Sequence, residues 1–275
     1  MLKCTVKSAE GYILNLSNNE KLFKISNING LNPTKTNIYS SDIYTVIGST
    51  FNYAKDETRN IVIELFFGDD TKTAKSEIMK AFSNRKKITL YFDNKYSIEG
   101  YVESIDYNFF SNTIACQISI LCLYPYFKSI ESTVYTFEGC LNLLTFPFCA
   151  PEPGIPFGNI TNTTNTVYNQ SNIDSGMIIE VYFGGYTNNL TIMNHTNNTY
   201  ISIKKEFLPD DTLIIDTFNV VKTFKLNNES IINNVFIGNE FLYLNPGRNT
   251  ISFDCTSGVE NVTMQITCNS IYTGI

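Results

Sequence analysis

The chain has 275 residues, 43% hydrophobic and 13% aromatic, which is enough apolar material for one large domain or two ordinary ones with separate cores. The formal net charge is -6, but residues 1–128 carry 15 basic against 13 acidic side chains, whereas residues 129–275 carry 5 against 13. Halves of different charge favour two domains, and neither half has the dense basic face of a protein that reads nucleic acid.

The sequence carries no recognisable targeting or membrane segment. Its start, Met1-Leu2-Lys3-Cys4-Thr5-Val6-Lys7, lacks the pattern of a signal peptide, and the most apolar stretch, Leu141–Pro151, is short and broken by prolines. We therefore expect assembly in the cytoplasm and no membrane insertion.

The seven cysteines form an odd set without a C-x-x-C pair. This argues against a zinc site or a disulfide framework and favours reduced cysteines packed in the core. They are Cys4, Cys116, Cys122, Cys140, Cys149, Cys255 and Cys268.

The first half predicts a small sheet with one helix. Ile61, Ile63, Leu65 and Phe67 alternate along a half-buried strand. The caps Asp69-Asp70-Thr71 then precede apolar residues at helical spacing, which predicts an amphipathic helix over 72–83. Further strands are predicted over 88–92, 96–105 and 114–123, so the pattern is typical of a small barrel or curled sheet that carries one helix.

The second half predicts a β-sandwich. Between Tyr124 and Gly176 the composition shifts to Pro, Gly, Asn and Thr, so we place the domain boundary near 127–133, followed by a long irregular stretch. Short extended segments separated by turns then recur in the regular spacing of a sandwich. They are predicted over 177–183, 190–193, 200–203, 212–215, 223–226, 241–244, 251–253 and 262–268.

Catalytic chemistry has few candidates. His195 is the one histidine, set in a polar loop, and no phosphate-binding loop or nucleophile elbow occurs. Asp210, Asp211 and Asp216 lie near strand ends and could serve a glycosidase, although solvated turn acids are the simpler interpretation. We therefore assign no catalytic, cofactor-binding or metal-binding residue.

Two surface features allow binding functions. Lys80, Arg85, Lys86 and Lys87 form a local basic cluster that could face nucleic acid, but a solvated helix end is the simpler interpretation. Exposed tyrosines could stack on sugars, although most aromatic residues must fill the two cores.

Several stretches, distributed over both halves of the sequence, together match the pattern of a known family. In the first half these are Ile28-Asn29-Gly30-Leu31, Gly48-Ser49-Thr50-Phe51, Arg59-Asn60-Ile61-Val62-Ile63, Glu99-Gly100-Tyr101-Val102-Glu103 and the run from Ile118 to Phe127. In the second half they are Leu213-Ile214-Ile215-Asp216-Thr217, the run from Phe241 to Asn249, and Tyr272-Thr273-Gly274-Ile275. In their order over both halves, these stretches resemble the distal tail proteins of phages and phage-like particles of Gram-positive bacteria.

The resemblance implies a mainly β protein with a ring-forming, tail-tube-like β-barrel domain at 1–128 and a galectin-like β-sandwich at 129–275. It implies a homo-hexameric ring at the distal end of the tail tube, which joins the tube to tip or baseplate hub proteins. DNA would pass through its channel without specific binding. The expected protein is a non-enzymatic component of the virion tail without cofactors. A carbohydrate- or receptor-binding tail subunit is the alternative, and a cell-wall hydrolase is a third.

Overall fold

The computed structural model describes residues 2–17, 22–42, 44, 47–83, 86–108, 115–141, 160–238 and 240–275. The chain forms two compact units. The first unit contains Met1–Glu131 together with Ile271–Ile275, and the second contains Ser132–Ser270.

The first unit is an antiparallel sheet with one helix and a separate hairpin. Its elements are β1 (Cys4–Ser8), β2 (Ile13–Asn15), β3 (Phe23–Asn29), β4 (Thr36–Asp42), β5 (Ser49–Asp56), β6 (Arg59–Phe67), α1 (Thr71–Ala81), β7 (Lys87–Phe92), β8 (Tyr96–Asn108), β9 (Ala115–Cys122) and the start of β10 (Phe127–Leu141). The sheet has the order β2-β1-β7-β8-β9-β6-β3, whereas among the described strands β4 and β5 pair only with each other.

Alternation of apolar residues builds the core of this unit, as predicted. Ile61, Ile63 and Leu65 of β6 are fully buried and pair in register with the buried face of β9. The side chain of Asp70 accepts from the backbone N–H of Thr73 and caps α1. The helix then buries Ala74, Ile78 and Ala81 against this core.

The second unit is a two-sheet sandwich. Its strands are the rest of β10, β11 (Ile160–Asn162), β12 (Thr164–Asn169), β13 (Ile178–Phe183), β14 (Thr187–Asn194), β15 (Thr199–Phe207), β16 (Thr212–Asp216), β17 (Thr223–Leu226), β18 (Glu229–Ser230), β19 (Val235–Ile237), β20 (Gly247–Ser257) and β21 (Val262–Tyr272). Two 3₁₀ turns lie at Ile232–Asn234 and Val259–Asn261.

One sheet of the sandwich has the order β18-β17-β16-β13-β21-β10-β11 and the other has the order β12-β20-β14-β15-β19. Both contribute to one apolar core, in which Val181 and Ile215 of the first sheet join Ile192 and Phe253 of the second. The fold is therefore mainly β with one α-helix among the described residues, which confirms the predicted fold class.

Two segments differ from the sequence-based prediction. The stretch expected to be irregular contains β10, which is 15 residues long, and β12. Its prolines Pro147, Pro151, Pro153 and Pro156 lie outside the described residues. The segment 241–244, predicted as a strand, forms only one bridge, between Leu244 and Ser175, because the carbonyl of Tyr243 accepts instead from the side chains of Asn194 and Asn197.

Candidate assembly surface

The hairpin formed by β4 and β5 exposes several large apolar side chains to solvent. No described residue of either strand is buried, and Phe51 and Tyr53 are 63% and 55% exposed. Ile38, Tyr39, Tyr44 and Ile47 are also exposed. A two-stranded hairpin is marginally stable in water by itself, and an exposed apolar strand pair tends to associate with another surface.

Cross-strand side-chain contacts hold the two strands in register. Tyr39 lies opposite Tyr53 and their rings stack with centroids 4.5 Å apart. Ser49 donates to Asp42 at 2.8 Å, and Asn52 donates to Ser41 at 2.7 Å. Such pairs each contribute only a fraction of a kcal/mol, so they order the hairpin without removing its apolar surface from water.

Asp56 anchors the base of the hairpin. Its carboxylate accepts from the hydroxyl of Thr36 at 2.5 Å and from the hydroxyl of Tyr126 at 2.6 Å. These hydrogen bonds, from Thr36 first and then Tyr126, hold the pKa of the Asp56 carboxyl below its usual value. Both ends of the hairpin are thus tied to the turn that precedes β10.

Arg59 contacts the turn next to Tyr126 and is 1% exposed. Its guanidinium donates only to carbonyl oxygens among its described hydrogen bonds: Nε to Pro125 at 2.6 Å, Nη1 to Asn32 at 2.7 Å and to Gly30, and Nη2 to Thr273 at 2.5 Å. Its Cζ also lies 4.5 Å from the centroid of the Phe127 ring. Burial lowers the pKa of the guanidinium.

Gly30 makes this arrangement possible. Its φ is +89°, and a Cβ there would lie 2.1 Å from the carbonyl oxygen of Asn60. Only glycine can therefore bring this loop close enough for its carbonyl to accept from Arg59. We call Arg59, Asp56, Tyr126 and the carbonyls that accept from Arg59 the hairpin root.

Two of the three acidic residues considered for catalysis cap turns, and the third accepts from a tyrosine hydroxyl. Asp216 accepts from the backbone N–H groups of Phe218 and Asn219 at 2.9 and 3.0 Å. Asp211 accepts from the N–H of Leu208 at 2.8 Å, and Asp210, with a φ of +68°, accepts from the hydroxyl of Tyr182. These oxygens stabilise local loops.

His195 is exposed in the loop after β14. Its Nε2 lies 2.7 Å from Oγ of Ser252. Tyr168, Tyr182 and Tyr186 are exposed on the second unit. An exposed tyrosine ring could stack on a sugar, and the sugar-binding alternative stays a prediction.

The basic cluster is neutralised where the structure describes it. Lys80 pairs with Glu77 at 3.0 Å, Lys86 pairs with Glu10, and Lys87 pairs with Glu99 at 2.8 Å. Arg85 lies outside the described residues. Pairing with carboxylates lowers the local positive potential that would attract a phosphate backbone.

The cysteines that the structure describes are free thiols. Cys4, Cys116, Cys122 and Cys268 are buried and Cys255 is partly buried, and burial raises the pKa of each to about 12. Cys149 and the side chain of Cys140 lie outside the described part. Within that part, no group of three or more His, Cys, Asp or Glu side chains could hold a metal ion, and no helix is long and apolar enough to cross a membrane.

The hairpin and its root were not identified from the sequence. The alternation in β4 and β5 is weak because both faces are exposed. The sequence offered one indirect signal. Four of the stretches that carry the family resemblance contain Gly30, Arg59, Pro125 and Thr273, and these residues meet at the hairpin root.

Comparisons with known proteins agree with this fold. Residues 170–268 match the model of the family described as siphovirus-type tail component, C-terminal domain. The crystal structure of the SPP1 Dit protein (gp 19.1), described as a paradigm of the hub adsorption apparatus in phages that infect Gram-positive bacteria, is similar with a TM-score of 0.67 and 12% identity. The match covers 97% of this chain and 98% of that one.

Two structures of the phage p2 baseplate in its activated conformation, with Sr and with Ca, have TM-scores of 0.46 and 0.44, each at 9% identity. They cover 98% and 97% of this chain and 98% of each solved chain, but the scores are too low to support an argument. No curated protein sequence matches this chain. The resemblance to phage distal tail proteins is confirmed: residues 170–268 match the C-terminal domain of siphovirus-type tail components, and this match supports a structural component of a phage tail or baseplate.

Proposed function

We propose that six copies of this protein form a ring at the distal end of a phage tail tube and join the tube to the tip or baseplate. In this proposal the first unit forms the ring and the second contacts neighbouring hub proteins. The role is structural and not enzymatic, and the subunits assemble in the cytoplasm of the bacterial host.

The exposed hairpin carries the proposal. Phe51, Tyr53 and Ile38 lie on strands that bury nothing within the subunit, while the hairpin base is held by Asp56 and Arg59. Burying such side chains against a partner contributes about 1.5–3 kcal/mol each. A rigidly held apolar arm therefore favours a contact between subunits over a solvated loop.

The order of the sheet favours a head-to-tail contact. The hairpin connects β3, the last strand at one edge, to β6, whereas β2 forms the other edge and contacts α1. That second edge exposes Ile13 on β2 and Met79 on α1, each 61% exposed. Two different apolar surfaces at opposite edges of one unit fit a heterologous interface, which closes into a ring when the rotation between copies closes.

A ring of this kind would leave a channel for DNA. The first half of the chain is close to neutral, with 15 basic against 13 acidic residues, and the described lysines of the basic cluster are paired. A wall without strong phosphate attraction would let DNA pass without specific binding. The tail tube protein and the tip or baseplate hub proteins are the proposed partners.

The test is the mass of the full-length protein in solution, measured by light scattering over a range of concentrations with negative-stain images of the same sample. We expect a six-copy mass and rings for the natural sequence, and monomers for Phe51→Ser combined with Tyr53→Ser. The matched control changes Val220 and Val221, two exposed residues of the second unit, to Ser and should still form rings. A natural chain that stays monomeric at every concentration would contradict the proposal, as would a hairpin variant that still forms rings.

A further inference from the structure

Residues Ile271–Ile275 comprise the last two residues of β21 and the three residues after it, and they belong to the first unit. Ile271 is 2% exposed, and the ring of Tyr272 packs edge-on against Tyr96 with centroids 5.3 Å apart. The backbone N–H of Ile275 donates to the carbonyl of Leu31 at 3.1 Å. A Cβ on Gly274 would lie 2.8 Å from Cδ of Pro33. This segment therefore lies directly on the loop that follows β3.

The same loop leads into the hairpin. The carbonyls of Gly30 and Asn32 accept from Arg59, and that guanidinium also binds the carbonyl of Thr273. The carbonyl of Lys35, the last residue before β4, accepts from the N–H of Glu57, the first residue after β5, at 3.0 Å. The segment, the guanidinium and both ends of the hairpin are thus joined by consecutive hydrogen bonds.

We propose that residues 271–275 act as a positioning segment for the assembly surface, because they fix the hairpin root through Arg59 and the loop at 30–35. The proposal rests on the proposed function, in which the hairpin contacts a second copy of the chain. The segment itself makes no contact with the partner copy in this scheme. It sets the direction in which the hairpin is presented.

The physical reason is the composition of the root. Arg59 is a buried cation whose described hydrogen bonds all go to carbonyl oxygens, so each carbonyl is needed to offset the desolvation of the charge. Removing the Thr273 carbonyl leaves Nη2 without that acceptor and frees the loop that Ile275 holds. The hairpin has little stability of its own, so a looser root would cost binding through lost preorganisation.

The first test is a chain that ends at Tyr272. It keeps Ile271 and the Tyr272 ring in place but lacks Thr273, Gly274 and Ile275. We expect amide exchange at Glu57 to become about tenfold faster or more, the change that loss of one charged hydrogen bond produces. The concentration at which half of the subunits enter rings should rise about tenfold by the same reasoning.

The matched control is Ile88→Val in β7, which removes one methyl group from a fully packed residue of the same unit. A merely structural role for the segment would make the shortened chain and the control behave alike at equal loss of thermal stability. Equal exchange at Glu57 in these two variants would overturn the proposal, as would exchange in the shortened chain equal to that of the natural chain.

Gly274→Ala keeps every residue and decides the question if the shortened chain does not fold. Its Cβ would push the segment away from Pro33 and Leu31, so exchange at Glu57 should again be faster, and unchanged exchange would overturn the proposal. A natural chain that forms no rings would refute the proposed function, but exchange at Glu57 would still decide whether the segment holds the root. Normal rings in a variant with faster exchange would show that the orientation of the hairpin does not govern assembly.

Discussion

Replacement of Arg59 by lysine tests the hairpin root directly. The change keeps the positive charge and most of the side-chain length, but a lysine ammonium has three donors and no planar face, whereas the guanidinium has five donors in a rigid fork. In the structure that fork reaches four carbonyls and lies against the ring of Phe127. Lysine cannot reproduce this set.

The expected loss follows from the contacts that lysine gives up. At least one hydrogen bond from a charged donor disappears, which is worth about 1.5–3 kcal/mol. The stacked cation over Phe127 adds about 0.5–2 kcal/mol because the site is desolvated. We therefore expect Arg59→Lys to lower the free energy of unfolding of the first unit by about 3 kcal/mol.

Urea unfolding followed by circular dichroism measures this change, with amide exchange in β6 and β9 to assign the loss to the first unit. Arg248→Lys is the matched control because Arg248 is exposed, and a surface substitution should stay within about 0.5 kcal/mol. An Arg59→Lys variant as stable as the control would show that this expectation is wrong. It would mean that the buried guanidinium contributes nothing that a flexible ammonium cannot replace.

Three further predictions concern single residues. The stability advantage of natural Asp56 over Asp56→Asn should be full above about pH 5 and should decrease steadily as the pH falls below the unfolded-state pKa of about 3.9 and through the lower folded-state pKa, because the depressed carboxyl pKa stabilises the fold only while the carboxylate is ionised. Urea unfolding at a series of pH values below neutrality checks this, and an advantage that does not change with pH would contradict it. Asn249→Ala should lower the free energy of unfolding of the second unit by about 2–3 kcal/mol, since this fully buried amide bonds the turn around it, and a loss under about 0.5 kcal/mol in urea unfolding would contradict this. Gly176→Ala should lower the melting temperature clearly, because its Cβ would lie 1.9 Å from the carbonyl oxygen of Thr217. Gly184→Ala is the control: its Cβ would have its nearest neighbour at 3.6 Å, so the melting temperature should change little in the same thermal scan.

The sequence predicted those elements in which apolar residues recur at the period of a strand or helix and lie on one buried face. β6 alternates buried and exposed residues, and α1 buries Ala74, Ile78 and Ala81, so local pattern and tertiary burial agree. The segment 241–244 had the same apolar character. It instead forms a loop in which the carbonyl of Tyr243 accepts from the side chains of Asn194 and Asn197. No local sequence pattern reveals hydrogen-bond partners almost 50 residues away.

The hairpin and its root show a different reason for failure. β4 and β5 bury nothing within the subunit, so the alternation that marks a strand has no core to face. Arg59 reads in the sequence as an ordinary cation before a strand, and arginine is rarely buried. Its burial depends on carbonyls far apart along the chain, and the geometry that brings them together exists only in the folded unit.

The position of Thr273 also orders events during synthesis. Nη2 of Arg59 binds a carbonyl 214 residues downstream, so the ribosome has made nearly all of the described chain before the guanidinium can gain this acceptor. Contacts with such long sequence separation form late in folding because the chain between them must first be closed into a loop. A nascent chain therefore exposes the hairpin strands before this acceptor is available to hold their root. In the proposed assembly, a subunit would become competent to join a ring only after residue 273 has left the ribosome.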